Sequence, residues 1–265
     1  MRNGSTGNLS NGRASSKSDN VFVADFETTT DPDDCRVWAW GLTRIFDEME
    51  VVEVGNSIES FIDRMGEMAS VCYFHNLGFD GKFIIDWLMN NGFSHIDSNQ
   101  RIKPFQFKTC ISNAGQFYSI TIQWSKSKKT EFRDSLKKLP MTVKRIAGAF
   151  RLEILKGEID YDAPRPVGHV LTEEEIAYIK NDVLIVAKAL RIQLMAGMTK
   201  LTVGADSMAE YKKLFGTAFN TCFPVLSESM DSEIRRAYRG GWTYADPRFR
   251  GVVQRRPIRV YDVNS

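Results

Sequence analysis

An α/β fold, a mixed sheet flanked by helices, is what the sequence predicts, and two observations carry that prediction. Val21-Phe22-Val23-Ala24 and Val71-Cys72-Tyr73-Phe74 are short apolar runs with the length and composition of buried strands. The stretch from Thr172 to Met198 instead repeats apolar residues at helical spacing, at Ile176, Ile179, Val183, Ile185, Val186 and Leu190.

In order, the chain is expected to form strands at 21–26, 36–44 and 50–54, a helix at 57–68, a strand at 70–75 and a helix at 79–91. Strands follow around 105–110, 116–124 and 130–133, then a helix near 143–150 and the long helix from Thr172, which serves as its N-cap ahead of Glu173 to Glu175. Three strands, then helix, strand and helix is the ribonuclease H-like arrangement, a mixed sheet flanked by helices. That fold places functional carboxylates at strand ends and on the last helix.

Carboxylates occur at those places. Residues i and i+2 of a strand point to one side, so Asp25 and Glu27 present two carboxylates to the same space. The competing reading is a strand that ends in acidic residues on its way into the loop Thr28 to Asp34. Asp80 falls in the first turn of the helix expected near Phe79, where the helix dipole favours an anion and a strand end lies close. Asn76 and Phe79 beside it offer an amide and an aromatic ring, which suit a sugar-phosphate and a base. Tyr178 and Asp182 are four apart on the long helix and share a face. A phenol there can hold a water or help to deprotonate it, while a pair of divalent ions bound by the carboxylates supplies most of the activation.

Taken together, Asp25-x-Glu27, Asn76-x-x-Phe79-Asp80 and Tyr178-x-x-x-Asp182 resemble the DEDD superfamily of 3′→5′ exonucleases in its tyrosine subtype (DEDDy); the histidine subtype would carry His at 177, where this chain has Ala177. The resemblance is closer still to the protein-primed family B DNA polymerases of small tailed phages. It is carried by Asp25-Phe26-Glu27-Thr28-Thr29-Thr30, Tyr73-Phe74-His75-Asn76, Asp134-Ser135-Leu136-Lys137-Lys138-Leu139-Pro140, Leu155-Lys156-Gly157, Tyr178-Ile179-Lys180-Asn181-Asp182 and Tyr238-Arg239-Gly240-Gly241, in that order. It implies that Asp25, Glu27, Asp80 and Asp182 bind two Mg²⁺ or Mn²⁺ ions, that Tyr178 positions the water, and that Lys156 stabilises charge at the scissile phosphate. It further implies that Thr28, His75, Asn76, Phe79, Phe83, Ser135, Leu136 and Tyr161 hold the single-stranded primer 3′ end, and that Tyr238, Arg239, Gly240 and Gly241 connect exonuclease and polymerase modules and contact DNA. For Phe83 a place in the core is an equal alternative. The implied partners are single-stranded DNA and a terminal protein primer.

The expected domains are a disordered extension at 1–20, poor in apolar groups, an exonuclease domain at 21–200, and a linker with a short C-terminal segment of a polymerase palm at 201–265. Asp262, in Val260-Tyr261-Asp262-Val263-Asn264-Ser265, matches a polymerase metal ligand, but its partner carboxylate belongs to later motifs. The chain alone is therefore not expected to hold a complete polymerase site. A DNA- or terminal-protein-binding module without turnover, and another ribonuclease H-like exonuclease, are the remaining readings.

Composition is that of an ordinary globular protein: 265 residues, 43% hydrophobic and 26% charged. No apolar stretch reaches the roughly 18 residues of a membrane span, and the expectation is a monomer in the cytoplasm, that of the host cell if phage-encoded. Cys35, Cys72, Cys110 and Cys222 are too scattered for zinc or a disulfide framework. A net charge of +2 conceals two basic segments. Lys126 to Arg145 carries eight Lys or Arg against Glu131 and Asp134, and Arg235 to Arg259 eight Arg against Asp246. Both look like phosphate contacts.

Overall fold

The computed structural model describes residues 20–237 together with 248, 251 and 253. Residues 1–19 of the expected extension, Tyr238, Arg239, Gly240, Gly241 and Asp262 lie outside the described residues. The first elements are β1 (Val21–Thr28), β2 (Val37–Arg44), β3 (Val52–Gly55), α1 (Ile58–Gly66), β4 (Ser70–Phe74) and α2 (Leu77–Asn90). They are followed by β5 (Ser94–His95), β6 (Gln106–Ile111), β7 (Phe117–Gln123), β8 (Lys129–Asp134), a 3-10 turn (Ser135–Lys137), α3 (Val143–Ala149) and α4 (Glu173–Met195).

The strands form one mixed sheet in the order β3-β2-β1-β4-β8-β7-β6-β5. At its centre β1, β4 and β8 are parallel, while β2 and β3 on one side and β7 and β6 on the other pair antiparallel. Parallel strands end at the same edge of a sheet, so the chain after Asp25, after Phe74 and after Asp134 emerges at one place. This is where open α/β sheets bind ligands.

Alternation along β1 divides the core in two. Phe22, Ala24 and Phe26 pack on one face with Phe61, Ile62, Ile84 and Leu88 of α1 and α2. Val23 packs on the other with Ile146 of α3 and Val183, Val186 and Leu190 of α4. Asp25 and Glu27 have the parity of Val23, so they belong to the α4 face. Helix α4 approaches β2 closely at Gly41, where an added Cβ would lie 2.5 Å from Ile179 Cγ2. The bare backbone there lets the helix that carries Tyr178 and Asp182 settle onto the sheet.

The N-terminus of α4 is fixed by a capping box: Thr172 Oγ1 accepts from Glu175 N, and Glu175 Oε2 accepts from Thr172 N. Helix α2 begins at Leu77, two residues before the sequence-based start, because Asn76 turns the chain with φ of 78°. Beyond α4 the segment read as linker contains α5 (Val203–Phe215), α6 (Phe219–Cys222) and α7 (Glu228–Ala237). Contacts divide the chain between Tyr211 and Lys212. Within the first unit, Lys138 is buried and donates to the carbonyls of Met198 and Lys200 and to the Asp206 carboxylate, which binds the start of α5 to the turn after β8. In the second unit, the rings of Phe215, Phe219 and Phe223 gather, with Phe223 5.2 Å from Phe215 and 5.3 Å from Phe219. Among the described residues no helix is long and apolar enough to cross a membrane.

Candidate active site

Asp25, Glu27 and Asp182 bring carboxylate oxygens within 4.8 Å of one another. Two come from the end of β1 and the third from the third turn of α4, which lies over that strand. A cavity of about 150 Å³ between Asp25, His75, Lys156 and Asp182 opens onto the cluster. Asp80 is buried on α2 and is not one of the three, yet it lies near enough that burial and the Asp25 charge hold its carboxyl well above the usual range.

So many acids in so little space resist ionisation. Burial, reinforced by the Asp182 charge, pushes Asp25 up to about 7. Burial and the charges of Asp25 and Asp182 push Glu27 up to about 8. Burial raises Asp182 as well, against the pull of Lys156, whose Nζ lies 2.5 Å from Asp182 Oδ2. Burial pulls the Lys156 ammonium down, but its hydrogen bond to Asp182 together with the charges of Asp182, Tyr161 and Asp25 holds it above its ordinary value. The other oxygen, Asp182 Oδ1, is buried with no hydrogen-bond partner. An all-oxygen donor set, one orphaned buried acceptor and carboxylates that repel one another form a site that hard divalent cations fit.

Tyr178 is buried beside the cluster, and its hydroxyl is 2.7 Å from that of exposed Tyr161. Burial first, then the Tyr161 hydrogen bond and the Glu27 and Asp182 charges, push the Tyr178 phenol upward, so it stays neutral. The loop that carries Tyr161 is organised by Arg165, whose role the sequence did not suggest. Its guanidinium stacks 4.1 Å from the Trp38 ring centre, pairs with Glu175 at 2.9 Å, and donates to the carbonyls of Asp160, Tyr161 and Ala163. Arg36 in turn donates to the Arg165 carbonyl. Nothing local in an Arg-Pro dipeptide signals such a hub.

The residues implied to hold DNA surround the same edge. Thr28 is half-buried where the β1–β2 register shifts. Asn76 and Phe79 are exposed at the start of α2, and the Phe79 ring meets Phe83 edge-on at 5.9 Å. Phe83 packs partly against the core. His75 spends both ring nitrogens inside the protein, Nδ1 at 2.9 Å from Ser135 Oγ and Nε2 at 2.8 Å from the Met141 carbonyl. Ser135 is fully buried and Leu136 half-buried. Of the basic segment from Lys126 to Arg145, three members are engaged internally: Arg133 pairs with Glu131, Lys138 is buried against Asp206, and Lys137 donates to Gln116. Lys126, Lys128, Lys129, Lys144 and Arg145 remain exposed, so the surface charge there is smaller than the sequence count.

Comparison with known proteins agrees with the motifs. A family model described as DNA polymerase type B, organellar and viral, matches residues 63–265. The chain is 47% identical over 250 residues to the DNA polymerase of Bacillus phage B103, and 45% identical over 250 residues to that of Bacillus phage phi29. It is 29% identical over 261 residues to the DNA polymerase of Streptococcus phage Cp-1. In each case 92% of this chain and 43% of the relative are covered, so the chain spans less than half the length of these curated relatives. Among solved structures, phi29 DNA polymerase complexed with single-stranded DNA matches with a TM-score of 0.79 at 45% identity, over 87% of this chain and 41% of that one. Phi29 DNA polymerase complexed with primer-template DNA and incoming nucleotide substrates matches with a TM-score of 0.78 at 45% identity, over 87% and 41%.

Proposed function

Because the chain belongs to the organellar and viral type B DNA polymerases, we propose that its described part is a two-metal 3′→5′ exonuclease, acting on single-stranded primer ends in phage DNA replication. The observation that carries this reading is the trio of Asp25, Glu27 and Asp182 within 4.8 Å, with the buried Asp182 Oδ1 left unpartnered. These three, with Asp80 behind them, would hold Mg²⁺ or Mn²⁺. Bound there, the ions supply positive charge to the scissile phosphate and to the departing 3′ oxygen.

The chain's own residues do the rest. In the reaction a water oxygen bonds to the terminal phosphorus and gives up a proton to solvent, the bond from phosphorus to the 3′ oxygen breaks, that oxygen takes up a proton from solvent as the new 3′ hydroxyl, and a nucleoside monophosphate leaves. Neutral Tyr178, steadied by Tyr161, orients that water and does not act as its base. Lys156 is close enough to the carboxylates to turn its ammonium to phosphate oxygens as their charge grows. Phe79 offers an exposed ring for stacking and Asn76 an exposed amide beside it.

The test is a 5′-labelled single-stranded DNA oligonucleotide given to the purified chain with Mg²⁺ or Mn²⁺. Stepwise shortening from the 3′ end that chelator stops is expected; an uncut strand refutes the reading. Chemistry and grip should then separate. Tyr178→Phe is expected to slow single-turnover cleavage by about 10²-fold while leaving affinity in Ca²⁺ nearly unchanged. Phe79→Ala should instead weaken affinity by about 1–3 kcal/mol, the worth of one stacked base. Equal loss of affinity in both variants, with cleavage of the bound strand intact, would show that these roles are misassigned.

A further inference from the structure

Asn76 opens helix α2 but makes no capping hydrogen bond with its side chain. The free amides at that helix start are met from another strand. One oxygen of buried Asp134, at the end of β8, accepts from Asn76 N at 3.1 Å and from Leu77 N at 3.4 Å. The same oxygen accepts from Leu136 N at 2.9 Å, so it also caps the 3-10 turn that follows β8. Strands β4 and β8 are parallel neighbours with Phe74 opposite Asp134, which brings the two chain ends side by side. His75 and Ser135 then join them a second time.

A helix normally uses its own N-cap side chain to satisfy its first amides. Here the Asp134 oxygen takes the amides of Asn76 itself and of Leu77, the cap residue and the first residue of the helix, which an N-cap side chain does not serve, and so ties the backbone at Asn76 to the end of β8. The consequence is an exposed amide side chain on a backbone held in the left-handed region, at φ of 78°. We propose that Asp134 is a positioning residue for single-strand binding: by holding the Asn76 and Leu77 amides, it fixes the backbone that presents the Asn76 side chain to the DNA, and it fixes Leu136 alongside. Asp134 touches neither the DNA nor the reacting atoms. The proposal rests on the nuclease reading above for its ligand.

The experiment measures affinity for a single-stranded DNA oligonucleotide in Ca²⁺ and single-turnover cleavage in Mg²⁺. Asp134→Ala should weaken binding by about tenfold, the order expected when buried amides lose their acceptor, and leave cleavage of the bound strand within about threefold of wild type. Asp134→Asn keeps an acceptor oxygen and should recover most of the affinity. On an Asn76→Ala background, Asp134→Ala should add little, because the two act through one contact. Wild-type affinity in Asp134→Ala, no recovery in Asp134→Asn, or additive losses with Asn76→Ala would each overturn the proposal. Should Asp134→Ala not fold, Asp134→Glu decides in its place, since it keeps the charge but displaces the oxygen. Weakened binding with intact cleavage of the bound strand supports the proposal, and unchanged binding overturns it. A wild-type chain that binds in Ca²⁺ but does not cut in Mg²⁺ refutes the nuclease reading alone, and the comparison of affinities still decides the role of Asp134.

Discussion

Alanine at either Asp25 or Asp182 is expected to reduce metal-dependent degradation of single-stranded DNA by about 10³-fold or more, with the protein still folded. Asp25 supplies the parity-aligned oxygen from β1, and Asp182 supplies the only oxygen of the trio that is buried without a hydrogen-bond partner. Either loss removes a ligand and a negative charge from cations that need both. Folding should survive, because neither carboxylate is favourably solvated in the metal-free chain: burial raises the pKa of both. The measurement is the single-turnover rate, with circular dichroism to confirm the fold. Near-wild-type digestion by the Asp25→Ala, Asp182→Ala double variant would end the nuclease assignment.

The second large effect is one of stability, and it has a sign that distinguishes a metal site from a structural cluster. Glu27 ionises at about 8 in the folded chain against a carboxylate's usual 4.5, and Asp25 at about 7 against 3.8. Between the lower and the higher value the folded state retains protons that the unfolded state has released. These two carboxylates therefore contribute a loss of stability to the metal-free protein as pH rises from about 4 to about 8. Glu27→Gln removes the largest share. It is expected to stabilise the metal-free protein at pH 8 by about 2 kcal/mol, or about 5 °C in melting temperature, and to do little at pH 5. Millimolar Mg²⁺ should reverse the order at pH 8, since the wild type binds the ion and the variant has lost a ligand. Thermal melts at two pH values, with and without Mg²⁺, check this. Destabilisation of the metal-free Glu27→Gln protein at pH 8 would contradict it.

Much of this site is legible in the sequence, for local reasons. A strand's two-residue period alone puts Asp25 and Glu27 together, and a helix's four-residue step puts Tyr178 and Asp182 on one face. The capping box at Thr172 and Glu175 is equally local, so the start of α4 falls where the sequence places it. What stays hidden depends on distant partners. Lys138 reads as one more phosphate-seeking cation, yet Asp206, sixty-eight positions away, draws it inside. Asp134 reads as part of a motif without a task, because its task lies on amides of another element. The helices after residue 201 fall in the stretch expected to be linker, and many of their large apolar side chains, such as Met208, Leu214, Met230 and Ile234, are exposed, so no buried stripe marks them.

The turn after β8 is bound at both ends, by Asp134 to α2 and by Lys138 to the segment before α5. Its middle, Ser135 and Leu136, is held by His75 and by the Asp134 oxygen. The rotational freedom of this backbone is thus surrendered when the protein folds, before any ligand arrives. A strand that lies against it meets a surface already ordered, so the entropy that a mobile loop would lose on association, on the order of 1–2 kcal/mol for each residue fixed, does not oppose binding.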